Sequence, residues 1–178
     1  MAEPGTPPVI GIIGGSGIYE IEGLQSAEWR RLKSSFGEPS DALLCGELDG
    51  QRMVFLPRHG RGHKIPPSGL NFRANIDVMK RAGVTEILSL SAVGSLREDL
   101  PPGNFVIVDQ FIDRTFAREK SFFGAGMVAH VSMADPVCAR LGDHLEAAAG
   151  ELGLPARRAG TYMVMEGQQL SPRAEPEL

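Results

Sequence analysis

Short apolar runs alternate along this chain with stretches of helical spacing. Pro8 to Ile13 is continuous and β-branched, which predicts a buried first strand. Asp41 to Leu48 and Gln51 to Leu56 flank Asp49-Gly50, the pattern of a hairpin. From Asn71 to Ala82, residues Phe72, Ile76 and Met79 recur at helical spacing with Gly83 behind them, predicting a helix with a core stripe. Glu86 to Leu90 reads as another buried strand and Asn104 to Val108 as a third, while Asp113 to Gly126 reads as irregular. Asp135 and Pro136 read as N-cap and first residue of a second helix, whose core stripe is Leu141, Leu145, Ala148 and Leu152. Ala159 to Met165 reads as the last strand. With no internal repeat or interior linker, the expectation is one α/β domain over residues 1–178. It is a mixed β-sheet flanked by helices, with ligand loops at strand ends.

Charge narrows the partners. The formal net charge is −4, which argues against a general nucleic-acid or anionic-membrane binder. No apolar run is long enough to cross a bilayer and no secretory h-region opens the chain. The two cysteines, Cys45 and Cys138, follow no metal-ligand pattern and read as buried hydrophobes. The expectation is a reduced, cytoplasmic protein.

Against that acidic background one stretch is basic. The run Met53 to Leu56 gives way to Arg58, His59, Arg61, His63 and Lys64, broken by Gly60 and Gly62. Arginine offers a forked donor to phosphate, and glycines let backbone N–H groups turn toward it. A local cationic loop in an acidic protein points to a small anionic ligand. Gly14-Gly15-Ser16-Gly17 after the first strand, and Ser91-Ala92 after the Glu86 strand, read as further walls of the same site. The glycine loop fits neither of two nucleotide fingerprints: the dinucleotide pattern has Glu20 where its third glycine belongs, and the P-loop Gly-Lys-Ser/Thr is absent. The nucleophile elbow fails because Ile18 stands where glycine is needed. The loop is then either a ligand loop or a plain turn. A metal between His59 and His63 is not expected, because cationic neighbours repel it. Arg61, His63 and Lys64 read as a solvated loop.

Assembled in order, these pieces resemble a known family. They are Gly11-Ile-Ile-Gly-Gly-Ser-Gly17, Ser35-Phe-Gly-Glu-Pro-Ser-Asp41, Arg58-His-Gly-Arg-Gly-His63, Asn71-Phe-Arg-Ala-Asn75, Gly94-Ser-Leu-Arg97, Asp109-Gln-Phe-Ile-Asp-Arg-Thr115, and Gly160-Thr161 before Glu166-Gly167. The chain resembles the trimeric purine nucleoside phosphorylases, and within them the methylthioadenosine phosphorylases. That resemblance implies phosphorolysis of a purine nucleoside, foremost 5′-methylthioadenosine, to free base and sugar 1-phosphate. It implies phosphate contacts from Ser16, Arg58, His59, Ser91 and the Ala92 backbone, with His130 near the ribose 5′ end and Ser171 beside the purine. It implies no metal and no cofactor, inorganic phosphate being the co-substrate. The implied partners are a small purine nucleoside and phosphate, with no nucleic acid, no membrane, and assembly as a homotrimer. Alternatives within the resemblance are a 6-oxopurine phosphorylase acting on inosine or guanosine, and an inactive phosphate-binding relative. A dinucleotide-binding oxidoreductase is disfavoured by the failed fingerprint.

Two departures from the family stand out. Gly167-Gln-Gln-Leu-Ser171 replaces its Gly-Pro-x-Phe-Ser/Thr, with Pro172 and Pro176 also at variance. Ser171 and Pro172 read as the opening of a helix, after which the chain stops at Leu178. The expectation is a C-terminally truncated member lacking the segment that would carry the base-contacting Asp or Asn.

Overall fold

Val54, Phe55 and Leu56 are buried in succession, and the fold is organised around the strand they occupy. This strand is β4 (Gln51–Pro57). The computed structural model describes residues 7–15, 21–166, 172 and 174. The chain divides into two compact units, residues 1–92 with 119–122, and residues 93–118 with 123–178.

The first unit holds β1 (Ile10–Gly14), β2 (Gln25–Arg30), β3 (Leu43–Leu48), β4, α1 (Phe72–Arg81) and β5 (Glu86–Ser89). Its sheet runs β2-β3-β4-β1-β5. β2, β3 and β4 pair antiparallel, whereas β4 and β5 both run parallel to β1. The sheet is therefore mixed, as predicted. The predicted hairpin is present: Asp49 (φ 47°) and Gly50 (φ 77°) both take the left-handed conformation that a tight two-residue turn requires. Because strand side chains alternate, successive residues feed two cores. Val54 and Leu56 join Val9, Leu43, Val78 and Met79 on the α1 side. Phe55 packs on the other face with Ile12 and Leu44.

The α1 helix starts where predicted. Asn71 caps it, Oδ1 accepting from Ala74 N at 3.0 Å, while Nδ2 donates to Phe36 O at 2.8 Å. The predicted stripe needs correction. Met79 is fully buried, but Phe72 and Ile76 are each 37% exposed. The face turned inward carries Ala74, Asn75, Val78 and Met79. A polar residue displaces the apolar stripe because it is satisfied: Asn75 Oδ1 accepts from Ser40 N at 2.7 Å and Nδ2 donates to Ser40 Oγ at 2.9 Å. Strand β5 is half-buried rather than buried, since it forms an edge of the sheet. Cys45 is half-buried and Cys138 exposed, so neither is the core residue expected.

The second unit holds two parallel strand pairs: β6 (Phe105–Ile107) with β8 (Ala156–Arg158), and β7 (Gln110–Arg114) with β9 (Thr161–Met165). Strands β7 and β8 went unpredicted; β7 opens just before the stretch read as irregular and runs into it. The helix α2 (Ala139–Glu151) begins later than predicted, at Cys138 with no side-chain cap, because Cys138 is still extended. Asp135-Pro136 lies in the bends before it. The leucine stripe is not core either: Leu145 and Leu152 are exposed, and the buried residue of the helix is Gly142. There the Arg158 guanidinium lies over the helix and donates to Ala139 O at 3.2 Å. Among the described residues, no helix is long and apolar enough to cross a membrane.

Candidate functional site

Register sets the geometry of the site. Ile13 on β1 is level with Leu56 on β4 and with Ser89 on β5. Two residues further along, Gly15, Arg58 and Ser91 emerge together at the carboxyl ends of three parallel strands. The ladder continues to that edge, with Arg58 N donating to Gly14 O at 3.0 Å and Leu90 N to Ile13 O at 2.8 Å. Carboxyl edges of parallel strands are where α/β folds collect ligand-binding loops.

Arg58 spans this edge. Its Nη1 donates to Leu90 O at 2.6 Å and to Ser91 Oγ at 2.8 Å. Its Nε donates to His59 Nε2 at 3.0 Å. Nη2 carries no hydrogen bond to a described residue. His59 is buried, with Nδ1 2.8 Å from Ile65 O. The His63 ring stacks on it, centroids 4.5 Å apart. Ser91 and Ala92 are exposed and begin the loop after β5.

Of the residues singled out in the sequence, the structure brings Arg58, His59 and Ser91 into one hydrogen-bonded cluster with Ala92 adjoining. Ser16 and Ser171 lie outside the described residues. His130 belongs to the second unit, in an exposed stretch without regular secondary structure. Arg61 and Lys64 are exposed, as expected, but Arg61 is not free: its guanidinium pairs with Asp41 at 3.0 Å. Sequence reasoning missed Asp41, although it closes the motif Ser35–Asp41.

In the second unit Glu166 is a further buried polar centre. Its side chain is only 3% exposed. Oε2 accepts from Phe116 N at 2.6 Å and Ala117 N at 2.7 Å, and Oε1 from Arg118 Nε at 3.3 Å. The Ala117 N–H, reinforced by Phe116 and Arg118 against the opposing effect of burial, holds this carboxyl below the ordinary glutamate range. The carboxylate thus ties the end of β9 to the segment after β7.

Comparison with known proteins agrees with the fold. A family model described as the phosphorylase superfamily matches residues 9–178. The S-methyl-5′-thioadenosine phosphorylase of Rhodospirillum rubrum is 65% identical over 178 residues, covering 100% of this chain and 60% of that relative. The protein of the same name from Geobacter sulfurreducens is 58% identical over 96% of this chain and 60% of its own length. Among solved structures, a methylthioadenosine phosphorylase from an Antarctic soil metagenomic library superimposes with a TM-score of 0.90 at 45% identity, over 96% of this chain and 61% of that one. The Schistosoma mansoni methylthioadenosine phosphorylase in complex with adenine gives 0.88 at 37% identity, over 96% and 69%. The chain therefore spans about 60% of the length of the curated relatives it matches. With the family model covering nearly every residue of a mixed α/β fold, the chain belongs to the phosphorylase superfamily.

Proposed function

We propose that this chain carries the phosphate-binding part of a purine nucleoside phosphorylase acting on 5′-methylthioadenosine. One observation carries the reading: Arg58 bridges the ends of β4 and β5, with Ser91 Oγ at 2.8 Å and one guanidinium edge left over. Inorganic phosphate is the co-substrate. Its oxygen attacks C1′ as the C1′–N bond to the purine breaks, and the electron pair of that bond leaves with the base. The products are adenine and 5-methylthioribose 1-phosphate. Such cleavage passes through an oxocarbenium-like state, so the protein's work is to place the anion and stabilise the departing base. In this reading Arg58 and Ser91 supply charge and hydroxyl to phosphate, His59 sets the arginine, and Ala92 and Ser16 complete the anion's surroundings. The family resemblance gives His130 to the ribose 5′ side, Ser171 to the purine, and the protein to a homotrimer. The choice of 5′-methylthioadenosine is supported by the names of two similar relatives.

The test is base release from 5′-methylthioadenosine, followed with and without inorganic phosphate. Adenine release that requires phosphate, together with a sugar 1-phosphate product, is the expected result. Equal release in its absence would indicate hydrolysis and overturn the proposal.

A further inference from the structure

The basic loop carries a second set of interactions on its far side. Residues 61–64 are exposed, so burial does not fix them. The backbone runs through left-handed torsions at Gly60 (φ 69°), Gly62 (φ 81°) and His63 (φ 53°), the last being a conformation that costs a residue with a β-carbon. A loop of this shape needs anchors. Within it, His63 N donates to Gly60 O at 3.0 Å, Lys64 N and Ile65 N donate to His59 O at 3.0 and 3.1 Å, and the His59 ring bonds Ile65 O.

Asp41 supplies an anchor from outside. Its Oδ2 accepts from Arg61 N at 2.7 Å and from Arg61 Nε at 3.0 Å, and its Oδ1 accepts from Arg61 Nη2 at 3.0 Å. Ala42 N also donates to Oδ1, at 2.7 Å, which fixes the carboxylate at the entrance to β3. The other side of the Arg61 guanidinium faces the Trp29 ring, 4.0 Å from its centroid. Burial alone would raise the Asp41 carboxyl, but the donors and charge of Arg61 together with the Ala42 N–H more than offset it and hold it below the ordinary aspartate range. The preceding residue, Ser40, is itself pinned to α1 through Asn75. The chain of contacts runs from the helix through Ser40 and Asp41 to Arg61, and along the loop to His59 and Arg58.

We infer that Asp41 is a positioning residue for phosphate binding: by gripping the backbone N–H and the guanidinium of Arg61 together, it sets the turn from which Arg58 and His59 address the strand ends. The inference rests on the phosphate site proposed above. Asp41 touches no reacting group and acts through Arg61.

The test uses the full chain and two readouts. Asp41→Asn keeps the side-chain shape but turns one acceptor into a donor facing Arg61, so the fork cannot form. Amide hydrogen exchange at residues 60–65 should speed up by roughly tenfold, with β3 and β4 unchanged. Affinity for inorganic phosphate, measured by calorimetry, should fall by roughly tenfold. Arg61→Lys should act in the same direction, and adding it to Asp41→Asn should add little, because both break one contact. Unchanged loop exchange in Asp41→Asn would overturn the anchor. A loosened loop with parental phosphate affinity, in a protein where Arg58→Ala abolishes binding, would overturn the positioning role alone. A parent chain that binds no phosphate would remove the proposed site itself, a result distinct from either.

Discussion

Arg58 Nε donates to His59 Nε2 at 3.0 Å, so the two side chains expected to grip an anion grip each other. A guanidinium can only donate. Nε2 must therefore be the acceptor, and the ring proton sits on Nδ1, where it reaches Ile65 O at 2.8 Å. In this geometry the histidine is a bracket that holds the arginine.

That arrangement fixes a tautomer. Nitrogen-15 NMR of the His59 ring at neutral pH should report the Nδ1–H form. His59→Ala should weaken phosphate binding by roughly tenfold, about 1.4 kcal/mol, since Arg58 loses a partner of ordinary hydrogen-bond strength. Finding the Nε2–H form would contradict this geometry.

Asn75 is the polar residue in the helix–sheet interface, with both ends of its amide used by Ser40. Asn75→Ala strands the Ser40 backbone N–H and should cost about 1–3 kcal/mol in urea unfolding. Asn71→Ala, which removes the helix cap, should cost about 1 kcal/mol.

Two leucines give a contrasting pair. Leu56 on β4 is fully buried in the core on the α1 side of the sheet, whereas Leu145 on α2 is 38% exposed. Leu56→Ala should destabilise by about 3 kcal/mol in chemical denaturation. Leu145→Ala should cost under about 1 kcal/mol in the same chain. Equal losses would mean that the α2 stripe is packed after all.

Glu166 should shape the acid limb of stability. Its folded carboxyl titrates below the ordinary glutamate value, chiefly because Ala117 N–H binds the charged form. Its contribution is thus complete above that ordinary value and is lost as pH falls through the lower, folded one. Thermal melts of Glu166→Gln should show a lower melting temperature at neutral pH and a flatter decline in acid. An unchanged acid limb would show that the three donors do not stabilise the charge.

The sequence disclosed what local chemistry decides. The β-branched run before Gly14, the Asp49-Gly50 turn and the Asn71 cap each act over a few residues, and each was read close to its place. Strands β2 and β7 escaped because they are exposed and carry no apolar period to follow. The stripes of α1 and α2 misled because burial depends on what a face meets. Asn75 faces inward where it meets Ser40, and the leucines of α2 face outward while Gly142 lies under Arg158. Arg58, His59 and Ser91 were legible because each follows a strand, and parallel register carries strand ends to one edge. Asp41 was not, since its partner Arg61 lies twenty residues away and no short-range pattern joins them.

The proposed phosphate site is tested most directly by titrating the chain with inorganic phosphate in a calorimeter, beside Arg58→Ala. Saturable binding by the parent, weakened at least about tenfold by the substitution, is the predicted result for a charge-assisted contact. Identical affinity in the two proteins would contradict it, because the cluster of Arg58, His59 and Ser91 would then hold no anion.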